Sequence, residues 1–421
     1  MYVAIVVAAI VLLGSLIPPD LLILSTLLSF LGAAMPWGAV LFEFRWVMLL
    51  ALTLGMLMRS TVQRRGPPWH PMHLSLVCFV LYAGISSSYS VNGLMTILKA
   101  ATFGCLAAAV MLYGRWQSGE QSAGSCKLFD QVYWCALIVA LGCAFVGIHV
   151  LPMRPGHFAG PFGNPNSLGA FIPLAAPVLL LKLLRSLDKG PLIRVGNVLL
   201  TLAYLIFLVM SRSRAGLSGT FLACAWWLNF AHRRAFGVFL GGTLFAALIT
   251  SWYFPEYVQN LGQVYVYKGS SYVLKSRAAL FRATWEAAKE RPLIGVGFGV
   301  SKGYSEQWEF AFRSGLAGRE KGNSYLALVE EVGLIGAAFV LFPLAWALAA
   351  ATRRLMDFRR LHQMGEEFWV ILTLSACMVG GMGDAFMEAW LTSVGFFSTI
   401  LFWLVFGVLA AHLTTPMRVS R

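Results

Sequence analysis

Five short stretches gather residue types that can handle a charged leaving group. The first is Arg154-Pro155-Gly156-His157-Phe158-Ala159-Gly160-Pro161-Phe162-Gly163-Asn164-Pro165-Asn166. Its glycines and prolines specify a rigid turn, and Asn164 and Asn166 offer amides at the start of the next apolar run. The second is Ser211-Arg212-Ser213-Arg214-Ala215-Gly216, where two arginines lie between apolar runs. Charges there are costly unless paired or drawn out to headgroups, and spacing lets only one of the two face inward, for which Arg214 is expected. The third is the polar segment from about Tyr253 to Asn323, with ten lysines and arginines against six glutamates. Within it Arg277, Phe281 and Trp285 recur every four residues and share a helix face. The fourth is Lys321-Gly322-Asn323, followed by Glu330 and Glu331 about a turn inside an apolar run. The fifth, Gly383 to Glu388, reads as a short turn presenting Asp384 and Glu388. Arginine is always charged and forks onto phosphate oxygens, so this set suits stabilising a departing diphosphate with fixed cations. A carboxylate or an imidazole then takes a proton from an acceptor hydroxyl.

Plainer readings stand beside these. The two asparagines can serve only as helix caps, the Ser-Arg-Ser-Arg arginines can reach outer headgroups, and Glu330 or Glu331 can pair with a loop arginine. The helix around Arg277 can lie as a basic amphipathic helix on anionic lipid.

The elements that must position these residues are membrane helices. The chain has 421 residues, 58% of them hydrophobic and 12% charged, with a mean hydropathy of +0.73. A soluble protein of this size cannot hide so much apolar surface, so the expected class is all-α and polytopic, with about twelve spans. Clusters at Arg59/Arg64/Arg65, Arg115/Lys127, Lys182/Arg185/Lys189/Arg194, His232/Arg233/Arg234 and Arg353/Arg354/Arg359/Arg360 occupy every second connection. The positive-inside rule puts those in the cytoplasm and the five stretches above outside. The long loop then carries its positive balance against the rule, which calls for an anionic partner, either lipid headgroups or a diphosphate. Four segments are expected: N-terminal helices over 1–150, central helices over 151–252, the outer loop over 253–323, and C-terminal helices over 324–421. The N-terminal run lacks the basic start of a cleavable signal. Seven cysteines without a Cys-x-x-Cys spacing indicate neither a disulfide framework nor a zinc site. His70 and His73 are a poor metal pair beside three prolines, and the aspartates stand too far apart for a metal clamp. The net charge of +14 is spread over many short loops, which argues against nucleic acid. No phosphate-binding glycine loop or dinucleotide fingerprint occurs, so neither metal nor cofactor is expected.

The order of these stretches resembles a known family. Gly160 to Asn166 looks like its G-x-F-x-N-P-N turn, and Ser211 to Gly216 like its S-x-S-R element. Arg277 to Gly299 resembles the R-x-x-x-W/F…P-x-x-G-x-G-x-G block, and Asn323 to Gly336 the H-N-x-Y-L…E-x-G-x-x-G segment. The family is the O-antigen ligase and O-antigen polymerase superfamily, and the resemblance covers roughly residues 150–345. It implies a metal-independent glycosyltransferase in the bacterial inner membrane, with its active site facing the periplasm. The implied donor is an undecaprenyl-diphosphate-linked glycan and the acceptor a glycan or lipid-linked hydroxyl, amid membrane lipids and with a chain-length regulator as a family partner. By position, Arg214 and Arg277 would hold the diphosphate, helped by Arg154, Arg212, Arg282, Lys321 and the amides Asn164, Asn166 and Asn323. Ligases of the family usually carry a histidine just before the asparagine, but here that residue is Gly322. Glu330, Glu331, Asp384 or His157 would then have to act as the base, and the balance moves toward a polymerase of O-antigen, capsule or exopolysaccharide repeat units. The alternatives are a ligase acting on lipid A-core or another acceptor, a secondary transporter and a non-catalytic scaffold.

Overall fold

A computed structural model of the chain describes residues 10, 14–35, 38–63, 70–120, 126–149, 158–253, 275–301 and 321–415. Every regular element among them is helical, as the sequence predicts. The α-helices are α1 (Pro19–Ala33), α2 (Ala39–Gln63), α3 (Pro71–Ile85), α4 (Gly93–Glu120), α5 (Lys127–His149), α6 (Pro165–Ser186) and α7 (Pro191–Ser211). They continue as α8 (Arg214–Ala231), α9 (Arg233–Tyr253), α10 (Lys275–Glu290), α11 (Ser324–Arg360), α12 (Glu366–Ala385) and α13 (Phe397–Thr414). Nine helices among the described residues are long and apolar enough to cross a membrane. Adding the apolar helices α1, α8 and α9 reaches the dozen spans expected, so the chain is a multi-pass membrane protein.

Alternation of the helices sorts their connections onto two ends. At one end the cation-rich connections hold each other in place. Lys127 pairs with Asp20 at 2.8 Å, Lys182 with Asp130, and Arg185 with Glu366. Arg354 binds Glu367 at 2.9 Å and also donates to the carbonyls of His412 and Leu413 in the last turn of α13 and of Thr415 just past it. The described parts of the stretches singled out for chemistry belong to the other end, called the loop end here. The centre of the bundle is α13, apolar on every side and buried along nearly its whole length, against α4 and α12.

Helices α6, α8 and α12 form the platform beneath the loop end. They pack through small residues, as membrane helices do when backbones must approach closely. A Cβ on Gly219 of α8 would lie 2.6 Å from the Gly380 carbonyl oxygen and 3.1 Å from the Asp384 Cβ on α12. That approach sets the first turn of α8 beside the last turn of α12.

One element departs from the expectation of a plain apolar span. Helix α11 is broken at Gly333, whose φ of 64° and ψ of −174° are outside helical space. The break opens two carbonyls and two N–H groups, and such groups cannot be left bare at membrane depth. The glycine-rich segment after α10 satisfies all four. Val296 and Gly297 donate to the carbonyls of Glu330 and Glu331, each at 2.9 Å, while Leu334 and Ile335 donate to Pro292 and Leu293 at 2.8 and 3.2 Å. The two backbones approach so closely that a Cβ at Gly333 would meet Leu293 main-chain atoms at 2.2 Å, in a conformation open essentially to glycine alone. Gly333→Val is therefore expected to prevent recovery of folded protein, read as loss of the monodisperse peak on size exclusion of the detergent extract. A wild-type yield would show that the break is dispensable.

Candidate active site

The Ser-Arg-Ser-Arg stretch is a tight helix-to-helix turn in which each hydroxyl has a task. Ser211 Oγ receives the Ser213 N–H at 3.2 Å, and Arg212 takes the left-handed conformation that ends α7, with φ of 50°. Ser213 Oγ then caps α8 by accepting from the Gly216 N–H at 3.2 Å. Arg214 thereby becomes the first residue of α8, at the positive end of the helix dipole. The neighbouring Gly-Pro turn is held to it, since the Phe158 N–H donates to the Met210 carbonyl at 3.3 Å. In that turn Asn164 is exposed and caps α6 through the Asn166 N–H at 2.9 Å, with Asn166 half-buried in the first turn. Arg154 and His157 lie outside the described residues.

Arg277 comes from the first turns of α10 and crosses to two partners. One guanidinium nitrogen binds the Glu388 carboxylate, and the other donates to the Gly322 carbonyl at 3.2 Å. Arg214 sits close enough to interact electrostatically with both Arg277 and Glu388. The two arginines singled out from the sequence, on helices separated along the chain by the rest of α8 and all of α9, thus meet around one carboxylate. Arg282, one turn further along α10, points to solvent. Trp285, expected on the face of Arg277, is half exposed and lies 5.6 Å from the Lys289 ammonium.

Glu388 is aimed by the first turn of α11. Asn323 Oδ1 caps that helix through the N–H groups of Tyr325 and Leu326, at 2.8 and 2.9 Å, and Asn323 Nδ2 donates to the Phe386 carbonyl at 2.7 Å. Ser324 Oγ donates to the Glu388 carbonyl at 2.6 Å and receives the Leu391 N–H at 3.1 Å. The turn after α12 is therefore pinned to the start of α11.

Asp384 differs in placement from the sequence reading. It belongs to the last turn of α12 and not to the turn beyond it, and it is fully buried against Gly219 because the small-residue packing leaves no space around it. Its Oδ2 accepts from Trp390 Nε1 at 2.7 Å, and it lies within electrostatic reach of Glu388 and Arg277.

Lys321 and the two glutamates of α11 form a separate, closed cluster. The Lys321 ammonium binds Glu331 Oε1 at 2.6 Å and the Val300 carbonyl at 3.0 Å, with Glu330 Oε2 at 3.9 Å. Glu331 Oε2 accepts from the Gly299 N–H at 2.8 Å, and Lys99 of α4 donates to the Gly299 carbonyl. Lys321 and Glu330 are 6% and 0% exposed, so these charges face one another and the loop backbone, where a diphosphate contact and a base had been expected. The paired carboxylates do find a loop cation, but a lysine and not an arginine.

Between α8, α11 and α12 runs an apolar groove of about 550 Å³, lined by Leu222, Tyr325, Leu348, Met382, Phe386 and Met387. Its wall includes Ser218, one turn from Arg214, and Met387 is next to Glu388. The lining of the trough therefore comes within one helical turn of Arg214 and one residue of Glu388 along the chain. No group of three or more His, Cys, Asp or Glu side chains among the described residues is arranged to hold a metal ion.

Residues 198–341 match the O-antigen ligase family. The matched segment runs from within α7 to within α11 and contains Arg212, Arg214, Arg277, Lys321, Asn323 and both glutamates of the closed cluster. The match bears out the resemblance to the O-antigen ligase and polymerase superfamily and supports glycosyl transfer in a membrane. Comparison with curated proteins gives no match. Asp384 and Glu388 lie beyond the ligase-family segment, and the fold brings them to it.

Glu388, which the sequence offers only as one carboxylate of a turn, is the direct partner of Arg277, and one further residue of this end has no place in the stretches read from the sequence. Lys99 was passed over inside an apolar run, where a lysine is costly unless paired, and that cost was the available signal.

Proposed function

We propose that the protein transfers glycan from a polyprenyl-diphosphate donor to an acceptor sugar hydroxyl at the outer face of a bacterial inner membrane. The observation that carries this is the meeting of Arg214 and Arg277 around Glu388, next in sequence to Met387 and one helical turn from Ser218 of the apolar groove. Two guanidinium groups offer forked donors to a diphosphate, and the trough offers an apolar bed to the first prenyl units, so one ligand with a charged head and a long apolar tail fits both. The fixed cations stabilise negative charge where it develops on the leaving oxygen. The periplasmic side follows from the cation-rich connections at the opposite end.

The polymerase reading rests on Gly322. Its carbonyl is engaged by Arg277, its φ is +68°, and it has no side chain with which to do the acid–base work of the histidine usual there. The ligase reading is favoured by the description of the matched family. Purified protein given a short undecaprenyl-diphosphate glycan, with and without divalent cations, tests both. A product ladder growing by one repeat unit is the expected result. A single transfer made only when a separate acceptor is added would make the protein a ligase, and donor left intact in every condition would overturn glycosyl transfer.

A further inference from the structure

We propose that Glu388 is an exchangeable counter-ion: the donor diphosphate displaces it from Arg277, and the released carboxylate takes the proton of the acceptor hydroxyl. This rests on the donor assigned above and adds the group that the glycine at 322 leaves unsupplied.

Charge is the first support. A diphosphate joined to a sugar at one end and a prenyl chain at the other carries two negative charges, which Arg214 and Arg277 match. With Glu388 on Arg277 the arginine pair already holds one anion too many for that ligand. A phosphate oxygen and a carboxylate oxygen compete for the same guanidinium N–H groups, so binding the donor and keeping the internal pair exclude one another.

Mobility is the second. The backbone of the turn is pinned by Asn323 and Ser324, so Glu388 can leave Arg277 by side-chain rotation alone. Its side chain is 17% exposed and that of Arg277 13%, so the pair is reached from outside. The cluster around Lys321 contrasts with it, because there Lys321 donates to Glu331 Oε1 and the Val300 carbonyl while Glu331 Oε2 is taken by the Gly299 N–H.

Elimination is the third. Among the described carboxylates near the arginines, Asp384 is fully buried and engaged by Trp390, and Glu330 and Glu331 face Lys321. Glu388 is the carboxylate of this set that can both approach the diphosphate site and turn away from it.

The step balances. The acceptor O–H proton passes to the Glu388 carboxylate as the acceptor oxygen bonds to the anomeric carbon. The bond from that carbon to the phosphate oxygen breaks, and its electron pair leaves on the diphosphate between Arg214 and Arg277. Glu388 returns its proton to water when product departs and the ion pair re-forms.

The test is Glu388→Gln in the full-length purified protein, reading undecaprenyl diphosphate binding in detergent and single-turnover transfer separately. The variant is expected to bind undecaprenyl diphosphate roughly 5- to 10-fold more tightly, because its internal competitor is gone, while transfer falls about 100-fold. Weaker binding would mean that Glu388 only positions Arg277, and unchanged transfer would mean that another group takes the proton. Either result overturns the proposal. Should the glutamine variant fail to fold, Glu388→Ala supplied with formate is the second arm, and transfer must rise with formate concentration. A wild-type protein that binds no undecaprenyl diphosphate overturns the donor assignment itself, whereas wild-type binding with a weaker Glu388→Gln overturns this inference alone.

Discussion

Arg277→Ala is expected to abolish transfer, lowering turnover by about 10²- to 10³-fold, the usual loss when a preorganised donor to a developing anion is removed. The variant should still fold. Arg277 sits on α10 and reaches the bundle through Glu388 and the Gly322 carbonyl, and both partners retain other anchors. The turn bearing Glu388 stays pinned by Asn323 and Ser324, and Gly322 stays between Lys321 and the cap of α11. Arg277→Lys keeps the charge but not the planar fork, so it should recover only part of the rate. Initial rates on the lipid-linked donor, paired with thermal unfolding in the same micelles, separate chemistry from folding. Transfer within a fewfold of wild type would remove Arg277 from the reaction.

Lys321→Met is expected to destabilise the protein by about 3–5 kcal/mol, as removing one partner of a buried ion pair commonly does. The methionine would take away the ammonium that faces both Glu331 and Glu330 in low-dielectric surroundings, leaving Glu331 the Gly299 N–H on its Oε2 and the more distant charge of Lys99. The damage should spread to the loop, because Lys321 also holds the Val300 carbonyl and precedes the carbonyl that receives Arg277. Changing both partners, as Lys321→Met with Glu331→Met, removes the stranded charge and should recover part of the loss. The comparison is a double-mutant cycle read by thermal unfolding. A single variant as stable as wild type would mean that the cluster does not hold the loop down.

Composition alone dictated the helical membrane class, because apolar content on this scale admits few other arrangements. Arg214 and Arg277 were legible for a different reason. A guanidinium beside an apolar run is costly, so each drew notice in isolation, and charge alternation put both on one side. Their partner was not legible. Glu388 follows a helix end 111 residues further on, and nothing in its neighbours distinguishes it from an ordinary turn residue until α8 and α12 are seen to touch. Asp384 was found as a residue but misplaced, since the end of α12 depends on packing at Gly219 and not on local sequence. The break in α11 was hidden because hydropathy reports burial and not backbone dihedrals. Glu330 and Glu331 look like charges inside a span when they are the last turn before a break.

That break bears on how this chain can be recombined with its relatives. The segment 292–297 supplies the hydrogen bonds that α11 lacks at Gly333, so neither strip of backbone is complete without the other. The segment between α9 and α11 is consequently not a cassette. A chimera that exchanges only the polar residues between α9 and α11 would graft a foreign glycine segment onto a native gap. The natural crossover points lie before α10 and after Gly336, so that clasp and gap are inherited together.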